Sequence, residues 1–184
     1  MKIPFNKFTC RKDYSYKGAF ERYHYRKGYK IATNGTILIA VKDNYDESLE
    51  GMSVKKSAKN PDAKTSTLPP VKPLLDYPII GTYTIDIETL KSFILGYQEE
   101  TEFEPVLVKI GDVIYNAKKI YPALELMLAY KICNFQLAEL NPKTFAMRVE
   151  LPNSDGIMLI MSAPFYKGDI IQYTLKVHSV EENK

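Results

Sequence analysis

Residues 19–41, AFERYHYRKGYKIATNGTILIAV, decide the fold class of this chain. Over most of this stretch, aromatic and β-branched residues alternate with charged ones, which is the period-two pattern of a β-strand. Asn34-Gly35 separates two apolar runs and favours a tight hairpin with positive φ at both turn residues. The sequence therefore predicts strands at about residues 20–25, 29–33 and 36–42.

The composition is that of a globular protein. The chain has 184 residues, of which 45% are hydrophobic and 26% charged, and a domain of this length buries about 70% of its unfolded surface. No apolar run reaches the roughly 18 residues of a membrane span, and the N-terminus lacks a secretory apolar stretch. Cys10 and Cys133 stand alone, so neither disulfides nor a zinc site is indicated. We expect a cytoplasmic protein with two inert thiols.

The positive charge is concentrated near the N-terminus. Residues 1–30 carry a local net charge of +7, although the whole chain carries only +3. Tyrosines and cations interleave there: Tyr14, Tyr16, Tyr23, Tyr25 and Tyr29 with Arg11, Lys12, Lys17, Arg22, Arg26 and Lys27. Such a mixture suits stacking of single-stranded bases. It equally fits a strand with half-buried tyrosines and solvated arginines.

The middle of the chain is rich in proline. Five of the eleven prolines fall in residues 57–81, namely Pro61, Pro69, Pro70, Pro73 and Pro78. Proline removes backbone donors and fixes φ, so this stretch cannot be a central strand or a continuous helix. We expect an extended connector between a first half, about 1–56, and a second half, about 82–184, of one domain.

Two helices and several strands are indicated beyond the connector. Asp86 can cap a helix that runs to about Tyr97, and a second helix is predicted over 116–130. Pro122 is tolerated only in a first helical turn, which moves the predicted start of the second helix to Lys118 or later. Strands are predicted around the turn Gly111-Asp112, and at 134–140, 144–151, 157–165 and 170–178. This order predicts an α+β fold.

Residues typical of catalysis are few. His24 and His178 are the only histidines, and neither has the spacing of a nucleophile or metal site. No phosphate-binding loop, GxSxG or dinucleotide fingerprint is present. An acidic cluster, Glu99, Glu100, Glu102 and Glu104, fits a solvated loop better than a cation site. We predict a binding protein without catalytic residues, cofactor or metal.

Three segments resemble the bacterial DNA sliding clamp family, the DNA polymerase III beta subunit. They are IATNGTILIAV (31–41), IGDVIYNAKKIYPALELM (110–127) and NPKTFAMRVELPNSDGIMLIMSAPF (141–165). The resemblance implies a duplicated βαβββ unit, mainly antiparallel, with two helices on one face, and one domain instead of the three of a clamp subunit. Two features depart from the family: the first thirty residues lack a helical apolar stripe, and Met161-Ser162-Ala163-Pro164 replaces the terminal motif.

The resemblance also implies a function, that of a non-enzymatic processivity or docking platform. Its DNA contacts would be sequence-independent and salt-sensitive. The matching helix positions are Lys91, Lys118 and Lys119, and the N-terminal cations Arg22, Arg26 and Lys27 are further candidates. A partner-peptide pocket for polymerase or repair proteins would use Thr33, Gly35, Leu38 and Met161. The chain would have to form a homo-oligomer to encircle a duplex. The alternatives are a protein-interaction domain without DNA binding, solvated lysines, and core roles for Leu38 and Met161.

Overall fold

The computed structural model describes residues 3–9, 19–55, 63–66, 68, 77–97, 106–141, 144–152, 156–164 and 170–180. Over these residues the strands are β1 (Arg22–Arg26), β2 (Tyr29–Thr33), β3 (Ile37–Lys42), β4 (Met52–Lys55), β5 (Ala63–Thr65), β6 (Ile79–Ile85), β7 (Leu107–Ile110), β8 (Val113–Asn116), β9 (Asn134–Asn141), β10 (Thr144–Glu150), β11 (Gly156–Met161), β12 (Ile171–Leu175) and β13 (Val177–Ser179). The helices are α1 (Ile87–Gly96) and α2 (Ala117–Ala129).

The described strands form two sheets. One has ten strands in the order β13-β6-β9-β10-β11-β3-β2-β1-β4-β5, and the other has three in the order β12-β7-β8. Every pairing in the large sheet is antiparallel, whereas β12 runs parallel to β7. The pairing of β3 with β11, which places Leu38 opposite Leu159, joins the early hairpin to the late one. The predicted α+β class with a mainly antiparallel sheet is confirmed.

Both helices lie against one core. Side chains of α1, α2, the small sheet and alternate positions of the large sheet belong to a single buried cluster, which includes Leu90, Leu124, Val108, Ile39 and Ile160. Alternate residues of a strand point to opposite faces of a sheet. The helices therefore pack on one face of the large sheet, as the resemblance to the clamp family implies.

Capping side chains set the start of each helix. The Asp86 carboxylate accepts the Thr89 N–H at 2.7 Å, and the Asn116 amide oxygen accepts the Lys119 N–H at 3.1 Å. These bonds satisfy helix N-terminal donors that would otherwise have no partner. The cap at Asn116 makes Ala117 the first residue of α2.

The predicted late start of α2 is wrong. Pro122 lies inside the helix, beyond the first turn, where it removes one intrahelical hydrogen bond. The carbonyl that loses its donor belongs to Lys118, an exposed residue, where water can bind it. Buried Ile120, Ala123 and Leu124 around the proline hold the helix in the core despite the lost bond.

The turns of the first hairpins differ from the prediction. Gly35 has φ +86°, but Asn34 is not among the residues with positive φ, and its side-chain oxygen accepts the backbone N–H groups of Thr36 and Ile37. The two-residue turn with positive φ at both positions is instead Lys27-Gly28, at 50° and 76°. It joins β1 to β2 and sets the register Arg26 opposite Tyr29.

The predicted connector is partly built into the sheet. Within 57–81, β5 pairs with β4 and forms an edge of the large sheet, and β6 already begins at Ile79. The edge position agrees with the rule that proline-rich segments avoid central strands. Prolines 61, 69, 70 and 73, the acidic cluster 99–104, Cys10, Tyr14 and Tyr16 lie outside the described residues.

The last predicted strand is two strands in different sheets. β12 pairs with β7 in the small sheet, and β13 pairs with β6 at the edge of the large sheet. Only Lys176 separates them. The segment therefore ties the two sheets together.

No α-helix precedes β1 among the described residues of the first half. Residues Phe5–Phe8 and Ala19–Glu21 form short 3-10 turns. The first of these turns places Phe8 in the main core, fully buried, and it contacts β2 and β3. Of the residues that the structure describes before β1, the turn Phe5–Phe8 is the one that packs on this end of the helix-side face.

Candidate nucleic-acid and peptide-binding surfaces

The three helix lysines lie on the exposed sides of their helices. Lys91 of α1 and Lys118 and Lys119 of α2 are all exposed, while the positions that follow the apolar pattern are buried or partly buried. The Lys91 ammonium lies 3.6 Å from the Glu88 carboxylate, and its side chain is 53% exposed. All three lysines therefore lie on solvent-accessible parts of the helix layer.

Carboxylates share that layer. Glu88 pairs with Lys91, Asp86 caps the same helix, and Glu125 of α2 binds Lys7 at 2.8 Å. The Thr89 backbone and side-chain hydrogen bonds hold the pKa of Asp86 below its ordinary value, so this carboxylate is negative at neutral pH. The helix layer is therefore mixed in charge and not uniformly positive.

Arg22 is a structural residue. It is 8% exposed, its Nε donates to the Ser53 hydroxyl at 2.9 Å, and an Nη donates to the Ser53 carbonyl at 2.9 Å. A buried charge is retained where hydrogen bonds compensate for lost hydration. The structure thus corrects the expectation that Arg22 contacts phosphate, because its guanidinium ties β1 to β4.

Arg26 and Lys27 differ from Arg22 and from each other. Arg26 is partly exposed but donates from one Nη to the Ser66 carbonyl at 3.1 Å. Lys27 is exposed at the β1–β2 turn, and its backbone N–H is bound by the Glu50 carboxylate. Of these two cations, Lys27 has the more accessible side chain.

His24 is also structural. It is fully buried, and its Nδ1 lies 2.8 Å from the Ser66 hydroxyl. Ser66 is 6% exposed, so a substrate could not reach this pair without opening the sheet. The contact fastens the segment after β5 to β1.

Within the described residues, no group of three or more His, Cys, Asp or Glu side chains is arranged to hold a metal ion.

The structure brings the four predicted peptide-pocket residues to one end of the β2–β3–β11 ribbon. Thr33 pairs with Leu38, Leu38 pairs with Leu159, and the Met161 N–H donates to the Thr36 carbonyl at 2.8 Å. Gly35 forms the adjacent turn. Leu38 and Met161 are partly buried. Each lies one residue out of phase with the helix-side core, so its side chain points to the opposite face of the sheet.

The chain itself covers part of that ribbon. Leu38 packs in a small cluster on the sheet face away from the helices, with Ile31, Ala40, Phe20 and Leu68. Leu68 is 7% exposed. Leu38 is therefore supported by neighbours from outside the ribbon, a contact that local sequence gives no means of predicting.

One cluster was missed by the sequence reasoning. The Lys30 ammonium lies 4.7 Å from the ring centroid of Tyr23, 5.0 Å from that of Phe5 and 6.0 Å from that of Tyr25. The register Tyr25 opposite Lys30 follows from the two-residue Lys27-Gly28 turn. Recognition of that turn would have placed Lys30 beside the tyrosines of β1.

A shallow cleft lies between α1 and β12. It has a volume of about 470 Å³, and its lining includes Phe93, Tyr173 and Leu175 together with Asp86 and Glu88. The two carboxylates make it unsuitable for phosphate groups.

In the part of the chain that the structure describes, no helix is both long enough and apolar enough to span a membrane.

The sequence matches no model of a protein family and no curated protein. Solved structures do match. A protein assigned as a DNA polymerase III beta subunit from Eubacterium rectale superposes with a TM-score of 0.54 at 10% identity, over 86% of this chain and 60% of that one. The DNA polymerase III subunit beta from Pseudomonas aeruginosa gives 0.49 at 10% identity, over 85% of this chain and 61% of that one.

The chain spans less than two thirds of the length of either structure. At 10% identity such a likeness concerns the fold alone. The chain is therefore a divergent protein with the sliding-clamp fold of DNA polymerase III beta subunits.

Proposed function

We propose that the protein is a non-enzymatic, DNA-associated docking platform. The observation that carries the proposal is the layering of the molecule: both helices pack on one face of a continuous sheet, with Lys91, Lys118 and Lys119 on their exposed sides. Lysines on a helix surface contact phosphates without reading bases, so the binding would be sequence-independent. Lys27 at the exposed hairpin turn is a further contact.

Salt dependence tests the proposal. Labelled duplex DNA is titrated with the protein at several salt concentrations between 50 and 200 mM, and the slope of log K against log salt is measured. Each lost phosphate contact lowers that slope by about 0.9. The variant Lys91→Ser/Lys118→Ser/Lys119→Ser is expected to lower it by about 2 to 3.

A matched control separates specific lysines from total charge. Lys42, Lys55 and Lys176 are exposed and lie outside the helices, so their triple replacement by serine removes the same charge elsewhere. This control is expected to leave the slope close to that of the wild type. Equal effects of the two triple variants, or no affinity of the wild-type protein at low salt, would refute the proposed role of the helix lysines.

Encirclement of a duplex requires more than one copy of this chain. Size-exclusion chromatography with light scattering, with and without DNA, tests whether a homo-oligomer forms. A protein mass that corresponds to one chain, both without DNA and in the complex with DNA, would limit the protein to contact with one side of a duplex.

A second candidate function is protein interaction without DNA binding. The mixed charge of the helix layer favours it, because Asp86, Glu88 and Glu125 offset the three lysines. Thr33, Gly35, Leu38 and Met161 would then form a docking surface for apolar side chains of partner peptides from polymerases or repair proteins.

Leu38→Ala tests that surface. Leu38 is only partly buried, so we expect a loss of about 1–2 kcal/mol of stability, below the range for a fully buried leucine. The folded protein would then lose affinity for an apolar peptide that binds the wild type. Unfolding of the variant would instead assign Leu38 to the core.

A further inference from the structure

The cluster of Phe5, Tyr23, Tyr25 and Lys30, here called the aromatic platform, lies on the helix-side face of the large sheet. Tyr23 and Tyr25 alternate along β1, and Tyr25 pairs with Lys30 of β2. Tyr23 and Phe5 pack against the main core and meet edge to face, with ring centroids 5.9 Å apart. The four side chains therefore form one continuous surface.

The platform is partly exposed, and the described element that packs on it is short. The turn Phe5–Phe8 is a 3-10 turn of four residues, and the helices lie farther along the sheet, where α2 contacts β3 and β11. Phe5, Tyr23 and Lys30 are partly exposed, and Tyr25 is 9% exposed. The rings of Phe5 and Tyr23 can thus be reached from solvent, while Tyr25 forms the wall behind them.

The platform is cationic on one side and bordered by acids on the other. Lys30 lies on the rings and supplies the positive charge of that side. Lys7, on the same 3-10 turn as Phe5, is neutralised by its ion pair with Glu125 of α2. Asp43 lies near Tyr25, and together with burial it raises the pKa of that phenol. Burial also raises the pKa of Tyr23, so both hydroxyls are neutral and do not repel phosphate.

We propose that the aromatic platform binds single-stranded DNA. Unpaired bases stack on the rings of Tyr23 and Phe5, and Lys30 moves from the rings to an adjacent phosphate. Aromatic surfaces flanked by cations suit single strands because every base has a π-face that a duplex keeps stacked. The strand crosses the rings of Tyr23 and Phe5 on the side of Lys30, away from Asp43. This deepens the proposed function, since it rests on the protein being DNA-associated and names the form of DNA that this surface takes.

Moving the Lys30 ammonium off the rings costs little free energy. Its contact with the rings is a cation–π interaction at a partly exposed site, one of the weaker kinds of such contacts. A base that stacks on Tyr23 replaces that contact, and the phosphate replaces the ring as the partner of the ammonium. Lys30 thus has a favourable partner both with and without DNA.

The test uses fluorescence anisotropy with a labelled 15-nucleotide oligo-dT and a labelled 15-base-pair duplex. Tyr23→Leu and Phe5→Leu are each expected to weaken oligo-dT binding at least about fivefold, the lower end for a lost stacking contact, with little change for the duplex. Lys30→Met is expected to lower the salt slope for oligo-dT by about 0.7. Tyr173→Leu is the matched control, because Tyr173 is a partly exposed tyrosine of another aromatic cluster.

A second variant keeps the test decisive if a leucine variant does not fold. The chain has no tryptophan, so Tyr23→Trp introduces a single tryptophan, whose emission can be excited selectively, into the platform while retaining an aromatic ring. Stacking of bases is expected to quench its emission when oligo-dT is added at low salt. Addition of the duplex is expected to change it little.

Specific outcomes would overturn the inference. Equal weakening by Tyr23→Leu and Tyr173→Leu, or a tryptophan at position 23 that oligo-dT does not quench, would show that the platform does not stack bases. Salt-sensitive binding of duplex without binding of oligo-dT would refute this inference and leave the proposed function standing. Failure of the wild type to bind either DNA at low salt would refute both.

Discussion

Gly156→Ala is expected to destabilise the protein by loosening the pairing of β3 with β11. Gly156 is buried in β11 opposite Val41 of β3. A Cβ built there overlaps the Ala40 carbonyl oxygen and lies 2.9 Å from the Val41 Cα. Both obstacles are backbone atoms, so the strands themselves must separate.

The size of the effect follows from two opposing contributions. Overpacking of this kind costs about 1–3 kcal/mol, and a backbone obstacle favours the upper end. The loss of glycine's freedom in the unfolded chain stabilises by about 0.4–1 kcal/mol. The net loss is then about 2 kcal/mol, which for a domain of this size lowers Tm by about 4–8 °C.

Urea denaturation followed by circular dichroism measures this loss. Gly96→Ala is the matched control, since Gly96 is the last residue of α1 and a Cβ there meets nothing within 4 Å. The control is expected to keep its stability or gain up to about 1 kcal/mol. A Gly156→Ala protein whose unfolding free energy stays within about 0.5 kcal/mol of the wild type would refute the steric argument.

Three further predictions concern residues whose structural role is now defined. Arg22→Met keeps the aliphatic part but leaves the Ser53 carbonyl without this donor, so urea denaturation should show a loss of about 2 kcal/mol, with duplex affinity unchanged. Hydrogen bonds from Thr89 lower the pKa of Asp86 in the folded protein. The stability that these bonds provide is therefore present at pH values above the ordinary pKa of an aspartate, and it is lost as the pH falls through the lowered pKa of the folded state. Between pH 5 and pH 3 the urea midpoint of Asp86→Asn should fall less than that of the wild type. Pro122→Ala restores a helical N–H and should raise the unfolding free energy by up to about 3 kcal/mol, measured in the same assay; a decrease would contradict that reasoning.

The first two turns show how far local sequence determines the hairpins. Asn34-Gly35 is the stronger dipeptide for a two-residue turn, and it does form a turn. The Asn34 side chain, however, binds two backbone N–H groups, which gives a longer loop. Lys27-Gly28 adopts the tight turn because the flanking strands and the Glu50 carboxylate hold a lysine at positive φ.

Strand alternation predicted which residues share a face but not what covers each face. Arg22, His24 and Arg26 alternate with Tyr23 and Tyr25, as a two-faced strand requires. A two-faced strand with half-buried tyrosines predicts solvated arginines. The covering residues Ser53 and Ser66 are far along the chain, so the burial of Arg22 follows from pairings that no local pattern contains.

Long-range strand pairing is the part of the fold that hydrophobic periodicity and residue propensity alone do not determine. Amphipathic spacing predicted α1 from its Asp86 cap, and the turn at Gly111 separated β7 from β8 as expected. The division of 170–178 into strands of different sheets has no local signal, since a continuous strand has the same alternation. The candidate DNA and peptide residues came from a resemblance in sequence, and their roles stay predictions.

The pairing of β3 with β11 also has a consequence for how the protein is made. β3 ends at Lys42 and its partner begins at Gly156, so a ribosome adding about 5–20 residues per second delivers the partner on the order of ten seconds later. During that interval the apolar edge of β3 has no neighbour on that side and can pair with other nascent chains. Slow translation between these two strands should therefore increase aggregation of this protein, and chaperone binding to the emerging chain should reduce it.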